Sequence, residues 1–547
     1  MATTEVETAK VAGDDPKLKK EFGTIGLLFT AIGSIIGSGW LFSSLHASSQ
    51  AGPAAIISWV AGTIMFLLIG FSYAELGVMF PRSGGVARYP HYAWGSFASY
   101  SMGWVTWLAC AAVASVEVSA VLTYATSYVH WLEKSDGTLT GSGLVIAVVL
   151  MGVFVMINYF GVRWFARVNN VAVWWKLGMI TLVVAAFMVT EFHGSNFTSH
   201  GFATDGAHGI LTAIATGGIV FSYLGFRQGI ELAGETDNPR RNVPIAVVGS
   251  VLITAVIYIL LQFAFIGSLQ PHLLDKGWSK LTFANDFGPL AGLATLLGLG
   301  WLSVLLYADA IISPGDTGLI YTTTTSRISY AMARNGNAPQ KLASTTDRGV
   351  PLVSLVVAFV VGLIVFLPFP SWQQLVGFIT SATVLSFASG PLVMAALRKQ
   401  IPDHERPFRV PGGHVIPFLA FWAANLIIYW STWPINWKLF VAVLIGFVLL
   451  GVFHMTGQVK AERYDLKAGA SWTIPWLAGL ALISYLGDYG GTGLIGFGWA
   501  IPVLFVFSAV IYGIAYAFAL PPEQIERYID DAQAEAAAEE EELGAQP

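Results

Sequence analysis

Apolar runs long enough to cross a bilayer follow one another along nearly the whole chain, and nothing else in the sequence restricts the fold so strongly. They cover approximately 24–47, 54–79, 95–130, 143–161, 170–190, 208–232, 243–267, 287–326, 352–369, 373–397, 414–432, 438–455, 472–487 and 496–519. A membrane helix needs ~20 apolar residues, so this pattern predicts about fourteen transmembrane helices. The run at 472–487 is short for a span. The run at 287–326 is too long for one, which predicts that its cytoplasmic end leaves the bilayer. Only 11% of the 547 residues are charged, against ~25% in a soluble domain. One cysteine, Cys110, excludes an intrachain disulfide and a cysteine-built metal site. Between the spans there is no room for a nucleotide-binding domain, and no G-x-x-x-x-G-K-S/T loop occurs. The polar first 22 residues predict no cleavable signal peptide.

Two of the runs are interrupted. The first holds Gly33, Gly37 and Gly39 within Ala31–Trp40, and the sixth holds Gly217, Gly218 and Gly225 within Thr216–Phe226. Glycine inside a helix costs ~1 kcal/mol against alanine. Backbone that leaves the helix at membrane depth must be buried in protein or line a cavity. A pair of interrupted spans is the sequence pointer to a transporter's binding site; close helix packing is the plainer explanation for either glycine set alone. The breaks lie five spans apart, which suits two five-span halves of opposite topology.

With the N-terminus cytoplasmic, most of the 28 Lys and Arg fall on the cytoplasmic side, as the positive-inside rule requires. Only Lys134, Lys276, Lys280 and Lys438 fall outside, while Lys176 and Arg227 stay within spans. The chain divides into a cytoplasmic tail at 1–23, a twelve-span core at 24–455, two additional spans within 456–520 and an acidic, solvated cytoplasmic tail at 521–547.

At the first break Gly37, Ser38 and Gly39 start a half-helix, whose free N–H groups and dipole suit a carboxylate. At the second, the carbonyls of Phe221, Ser222 and Leu224 are expected to lack helix partners and to suit an ammonium group. Bare donors facing bare acceptors fit an α-amino acid. Phe221 and Tyr223 would wall or gate that site, or Tyr223 only packs. Lys176 on the fifth span either snorkels to the cytoplasmic edge or exchanges a proton as a coupling device. Asp309, Ser313 and Asp316 share one helical face and are its natural partners, unless they lie at a wet rim. Arg227 either holds the side-chain carboxylate of an acidic substrate or pairs with Glu117 or Glu231. Glu117, on the third span, is otherwise a proton site. Glu75 and the Glu235–Arg241 segment read as solvated caps on spans, or as gates that form charge pairs in one state only.

Several separate pieces resemble the amino acid–polyamine–organocation (APC) superfamily of permeases. They are Gly33–Gly39; Tyr73–Gly77 with Pro81–Gly85; Phe221–Phe226; Ala233–Glu235 with Asn238–Pro244; Ser326–Arg327 with Tyr330–Gly336; and Arg406–Gly413. They stand in the family's order over 24–455. The resemblance implies an all-α LeuT-type 5+5 inverted repeat with alternating access. It implies that a substrate carboxylate meets Ser38 and Gly39, that its amine meets carbonyls at Ile35, Phe221 and Leu224, and that Phe221 is the occluding gate. Lys176 falls where several members carry a lysine in place of a second sodium site. Arg227 departs from the acidic or neutral residue of many relatives, which argues against cationic substrates. The Ile312–Gly318 segment and the two extra spans look like the branch that includes aspartate–proton symporters.

The expected function is uptake of an amino acid with a proton, an acidic amino acid being the substrate that Arg227 would suit. An amino acid exchanger on the same fold is the alternative, and a non-transporting nutrient sensor is the alternative from another class. No H-E-x-x-H or comparable hydrolase motif argues for an enzyme. No cofactor, metal or nucleic acid is expected. The partners are the amino acid, a proton and the lipid bilayer, with no reading of oligomeric state. The expected location is the plasma membrane with both termini cytoplasmic.

Overall fold

The computed structural model describes residues 23–81, 85–283, 288–334, 336–346, 350–459 and 464–530, with the backbone alone at 161–170 and Arg334. The N-terminal tail, Arg82–Gly84 and the acidic run Ala532–Glu542 lie outside the described residues. The elements are α1 (Thr24–Ile35), α2 (Gly39–Ala51), α3 (Ala55–Met79), α4 (Gly85–Trp94), α5 (Ser96–Thr126), α6 (Gly141–Thr190), α7 (Gly206–Thr216), α8 (Gln228–Glu231), α9 (Pro239–Ser268), α10 (Pro289–Leu296), α11 (Gly300–Arg334), α12 (Leu352–Val365), α13 (Trp372–Phe387), α14 (Ser389–Gln400), α15 (Val415–Trp430), α16 (Trp433–Met455), α17 (Leu466–Leu486) and α18 (Phe497–Ala517). No strand occurs among the described residues beyond two isolated bridges. Nine helical stretches there are long and apolar enough to cross a membrane, and α7 with Phe221–Glu231, bent by 42°, makes a tenth. The molecule is an all-α, multi-pass membrane protein.

Both expected breaks are present. Ile36 leaves the helical region (φ −87°, ψ 81°) between α1 and α2. In the sixth run Gly218 takes φ +88°, open to glycine at little cost, and the chain then winds into a 3-10 helix over Phe221–Arg227. The two interrupted segments touch backbone to backbone. A Cβ on Gly225 would stand 2.2 Å from the Ile35 nitrogen and from the Ser34 carbonyl carbon.

Two expectations are corrected. The run at 287–326 is two helices, because Gly298 (φ +74°) turns the chain between α10 and α11. The short run at 472–487 starts earlier, at Leu466, and reaches 21 residues.

The additional helices are held by buried polar contacts. Trp476 donates to Asn425 Oδ1 (2.9 Å) and Asn425 to Ser508 Oγ (2.9 Å), joining α17, α15 and α18. The start of the C-terminal tail touches the bundle at a few points: just before it Leu520 N–H bonds Ala93 O (2.9 Å), and within it Ile525 is fully buried and Tyr528 donates to Asp465 (2.6 Å).

Glu75 is no solvated cap. It is fully buried near the end of α3, where Arg398 of α14 grips both carboxylate oxygens (2.9 and 2.6 Å) and the Val410 N–H adds a third bond (2.7 Å). Arg398 and Arg406 also bond the carbonyls of 397–413. This cluster seals what we term the basic end of the bundle, where Arg240 pairs with Glu405 and Arg327 with Glu235. Removing one partner of a buried ion pair costs ~3–5 kcal/mol. Glu75→Ala is therefore expected to lower thermal stability in detergent by that order, whereas Arg240→Ala, which breaks an exposed pair, should leave the melting temperature nearly unchanged.

Candidate functional site

Every residue from Ala31 to Leu41 and from Ala213 to Glu231 is buried, so the two breaks form one enclosed centre. Its first component is the N-terminus of α2. Ser38 N–H donates to Glu117 Oε2 of α5 (2.8 Å). Gly37 N–H turns back to Ile35 O (3.1 Å). The acceptor at this helix start is thus the chain's own Glu117 carboxyl group. The glycines make room for that arrangement. A Cβ on Gly37 would lie 2.6 Å from Glu117 Oε1, and one on Gly39 would lie 2.4 Å from Ser222 Oγ.

The second component differs from expectation. The carbonyls of Phe221, Ser222 and Leu224 lie within a 3-10 helix over Phe221–Arg227, a form built on i to i+3 bonds, and not in an open stretch of backbone. The Gly217–Gly218 turn lets the chain rewind at once instead of running on open. Ser222 Oγ bonds Gly218 O (2.8 Å) and lies 3.2 Å from Ser43 Oγ, tying this segment to α2. Tyr223 is no gate in this conformation. Its hydroxyl pairs with Thr63 (2.9 Å), and its ring packs between Trp59, Phe66 and Tyr258. Phe221 lies edge-on to Trp372 at 6.1 Å.

The third component is Lys176, which is fully buried and does not snorkel. Its Nζ donates to Gly33 O (2.8 Å), Asp316 Oδ2 (2.7 Å) and Thr317 Oγ1 (3.3 Å). The carbonyl end of α1 suits a cation, and Thr317 reinforces the join through Gly33 O and Ile36 O. Of the three residues expected to face Lys176, only Asp316 meets it. Asp309 accepts instead from Ser313 (2.8 Å) and from Trp175 (2.8 Å). Positions seven apart on one face are two turns apart along the axis, ~10 Å, which is why one lysine reaches one aspartate.

Arg227 pairs with Glu231 through Nη2 (3.2 Å) and not with Glu117, and it lies over the Phe387 ring at 5.6 Å. Its Nε and Nη1 are buried without a hydrogen-bond partner among the described residues. Such donors are rare in native interiors.

The sequence reading missed Trp372, Phe42 and His46. Trp372 Nε1 donates to Ser38 Oγ (3.0 Å), and its ring lies 4.6 Å from Phe42 and 5.3 Å from His46. The available signal was Ser371, an N-cap whose side chain accepts from Gln374 N–H and so starts α13 at Trp372. A separate apolar cavity of about 680 Å³ lies between α16 and α17, lined by Phe447, Leu450 and Leu477. Its walls are almost wholly apolar, with His454 and Tyr464 the polar side chains among its lining.

Comparison with known proteins agrees with this architecture. A family profile described as amino acid permease matches residues 22–452. The chain is 38% identical over 538 residues to the glutamate/serine transporter AimA of Bacillus subtilis, covering 95% of this chain and 99% of that one. It is 35% identical over 513 residues to the aspartate-proton symporter of the same organism, covering 93% and 98%. The branched-chain amino acid permease BcaP of Bacillus subtilis is 26% identical over 463 residues, covering 80% and 93%.

Gly225→Ala sets a methyl against backbone, so no single side-chain trim should restore it; folded yield in detergent is expected to collapse. Gly39→Ala meets first the rotatable Ser222 hydroxyl. Adding Ser222→Gly is therefore expected to recover much of the lost melting temperature.

Proposed function

The chain belongs to the amino acid permease family, as a transporter and not an enzyme, and on that footing we propose that it takes up acidic amino acids together with protons. The observation that carries the coupling is Lys176, which joins the end of the first half-helix to Asp316 across a buried ion pair. A proton accepted by Asp316 removes one charge of that pair and loosens Gly33 from α11. A moving half-helix is thereby linked to a protonation event. Glu117 acts in the same sense at the other side of the break, because its protonation frees the Ser38 N–H for a substrate carboxylate. Asp309 and Ser313 form a supporting pair beside Trp175.

In this reading the α-carboxylate binds at Gly37, Ser38 and Gly39. The amine takes carbonyls at Ile35, Phe221 and Leu224 after the 3-10 segment loosens, with Ser222 beside them, and Phe221 closes over the substrate. The two spare donor nitrogens of Arg227, Nε and Nη1, favour an anionic side chain. The names of the relatives, a glutamate/serine transporter and an aspartate-proton symporter, point the same way. The core at 24–455 is read as a twelve-span LeuT-type 5+5 repeat, followed by two spans at 456–520. The concentration of basic residues at one end supports cytoplasmic termini at 1–23 and 521–547 in a plasma membrane.

Uptake of radiolabelled aspartate, glutamate, serine, leucine and arginine into proteoliposomes tests this. The expected result is accumulation of aspartate or glutamate, driven by an inward proton gradient. Arg227→Ala should raise the KM for the acidic substrate ~10-fold or more, the scale of a lost charge-assisted hydrogen bond, with a smaller change for serine. Asp316→Asn should abolish the response to the gradient. Uptake confined to leucine or arginine would overturn the acidic substrate. Flux that requires amino acid inside the vesicle would make the protein an exchanger, and saturable binding without flux would make it a sensor.

A further inference from the structure

We propose that Trp372 is the gate at the end of the bundle opposite the basic end, and that the same side chain sets Ser38 to donate to a substrate carboxylate. The inference rests on reading the first break as the amino acid site. Ser38, Phe42 and His46 are spaced i, i+4 and i+8 and form one face of the half-helix that leads away from the break. That face runs ~12 Å, and Trp372, at the first turn of α13, lies along it. The indole N–H bonds Ser38 Oγ (3.0 Å), while the ring is tilted on Phe42 (4.6 Å, 30°) and stacked on His46 (5.3 Å, 15°). From the other interrupted segment Phe221 meets the ring edge-on (6.1 Å, 85°). A Cβ on Gly218 would lie 3.4 Å from the indole and 2.5 Å from Ser43 Oγ. One side chain therefore contacts α2 and the second break together, and it is 4% exposed.

The position explains a closed path. Aromatic contacts of this kind add modestly to burial, enough to hold a lid and weak enough to release it. The hydrogen bond adds a chemical consequence. Indole is a donor only, so its N–H occupies the acceptor side of the Ser38 hydroxyl and leaves the hydroxyl proton to donate. In the present conformation Glu117 Oε2 accepts from the Ser38 backbone N–H (2.8 Å); in the loaded state the hydroxyl proton goes to the substrate carboxylate. Chained hydrogen bonds polarise one another, so closing the lid strengthens the bond that holds the substrate. Under the topology proposed above this is the extracellular side.

Two substitutions separate the roles. Trp372→Phe keeps a ring and removes the N–H, whereas Trp372→Ala removes the lid. Cys110 is the single native cysteine and is buried, so Cys110→Ala with Ser43→Cys reports access, Ser43 being 1% exposed beside the lid. The readout is the rate of modification by a membrane-impermeant maleimide added outside proteoliposomes, with substrate absent. Trp372→Ala is expected to raise that rate at least tenfold, and Trp372→Phe to leave it within twofold while raising the substrate KM ~3–10-fold, the scale of one hydrogen bond. Trp372→Leu serves as the opening variant if the alanine form does not fold. Equal, slow labelling in the folded parent and the opening variant would overturn the gate. An unchanged KM in Trp372→Phe would overturn the link to Ser38. Labelling needs no transport, so a parent that labels as expected but carries no amino acid would count against the transport reading and leave the gate standing.

Discussion

A single ammonium group holds the centre of this protein together. Lys176 Nζ binds the carbonyl of Gly33 at the end of one half-helix and the carboxylate of Asp316 on α11. A helix broken at membrane depth leaves polar backbone groups with no water to bond. Here the protein supplies their partners: Lys176 and Thr317 for the carbonyl end of α1, and Glu117 for the amide end of α2. Each of these partners is itself a buried polar group and would be costly alone. The break and its partners therefore stabilise one another, and the ionisable ones are the groups to which the proposed coupling assigns the proton.

The two broken segments are tied as closely as chemistry allows. Gly225 lies against the backbone of Ser34 and Ile35, and Ser222 against Ser43. Such contact transmits a shift in one segment directly to the other, because packed interiors have little free volume to absorb it. The second segment has rewound into a 3-10 helix, whose bonds are less favourable than those of an α-helix. That makes it the more readily altered of the two.

The ends of the bundle are closed by different chemistry. At the basic end Glu75, Arg398 and Arg406 lock α3, α14 and the 401–414 loop with charge-assisted bonds to side chains and carbonyls. At the other end the closure is aromatic, built from Trp372, Phe42, His46 and Phe221. Ion pairs of the first kind need full satisfaction and separate at a large cost; ring contacts slide and part in small steps.

Hydropathy settled the fold class, since runs of ~20 apolar residues admit little besides membrane helices, and the glycine clusters located both breaks because glycine at that depth requires a reason. The identities of Lys176, Asp316, Glu117 and Arg227 as buried ionisable groups were equally legible, charge in a span being rare. Pairing was not. Asp309 and Asp316 look equivalent on one helical face, and only the packing of α6 on α11 decided that Lys176 meets the second. Tyr223 looked like a lid until α3 and α9 supplied its partners. Trp372 was invisible as a site residue, because nothing along the chain brings position 372 beside position 38. Local sequence determines which segments span and where they break, through hydrophobicity and backbone propensity. Which side chains meet at those breaks is decided by long-range packing, a property that no local period encodes.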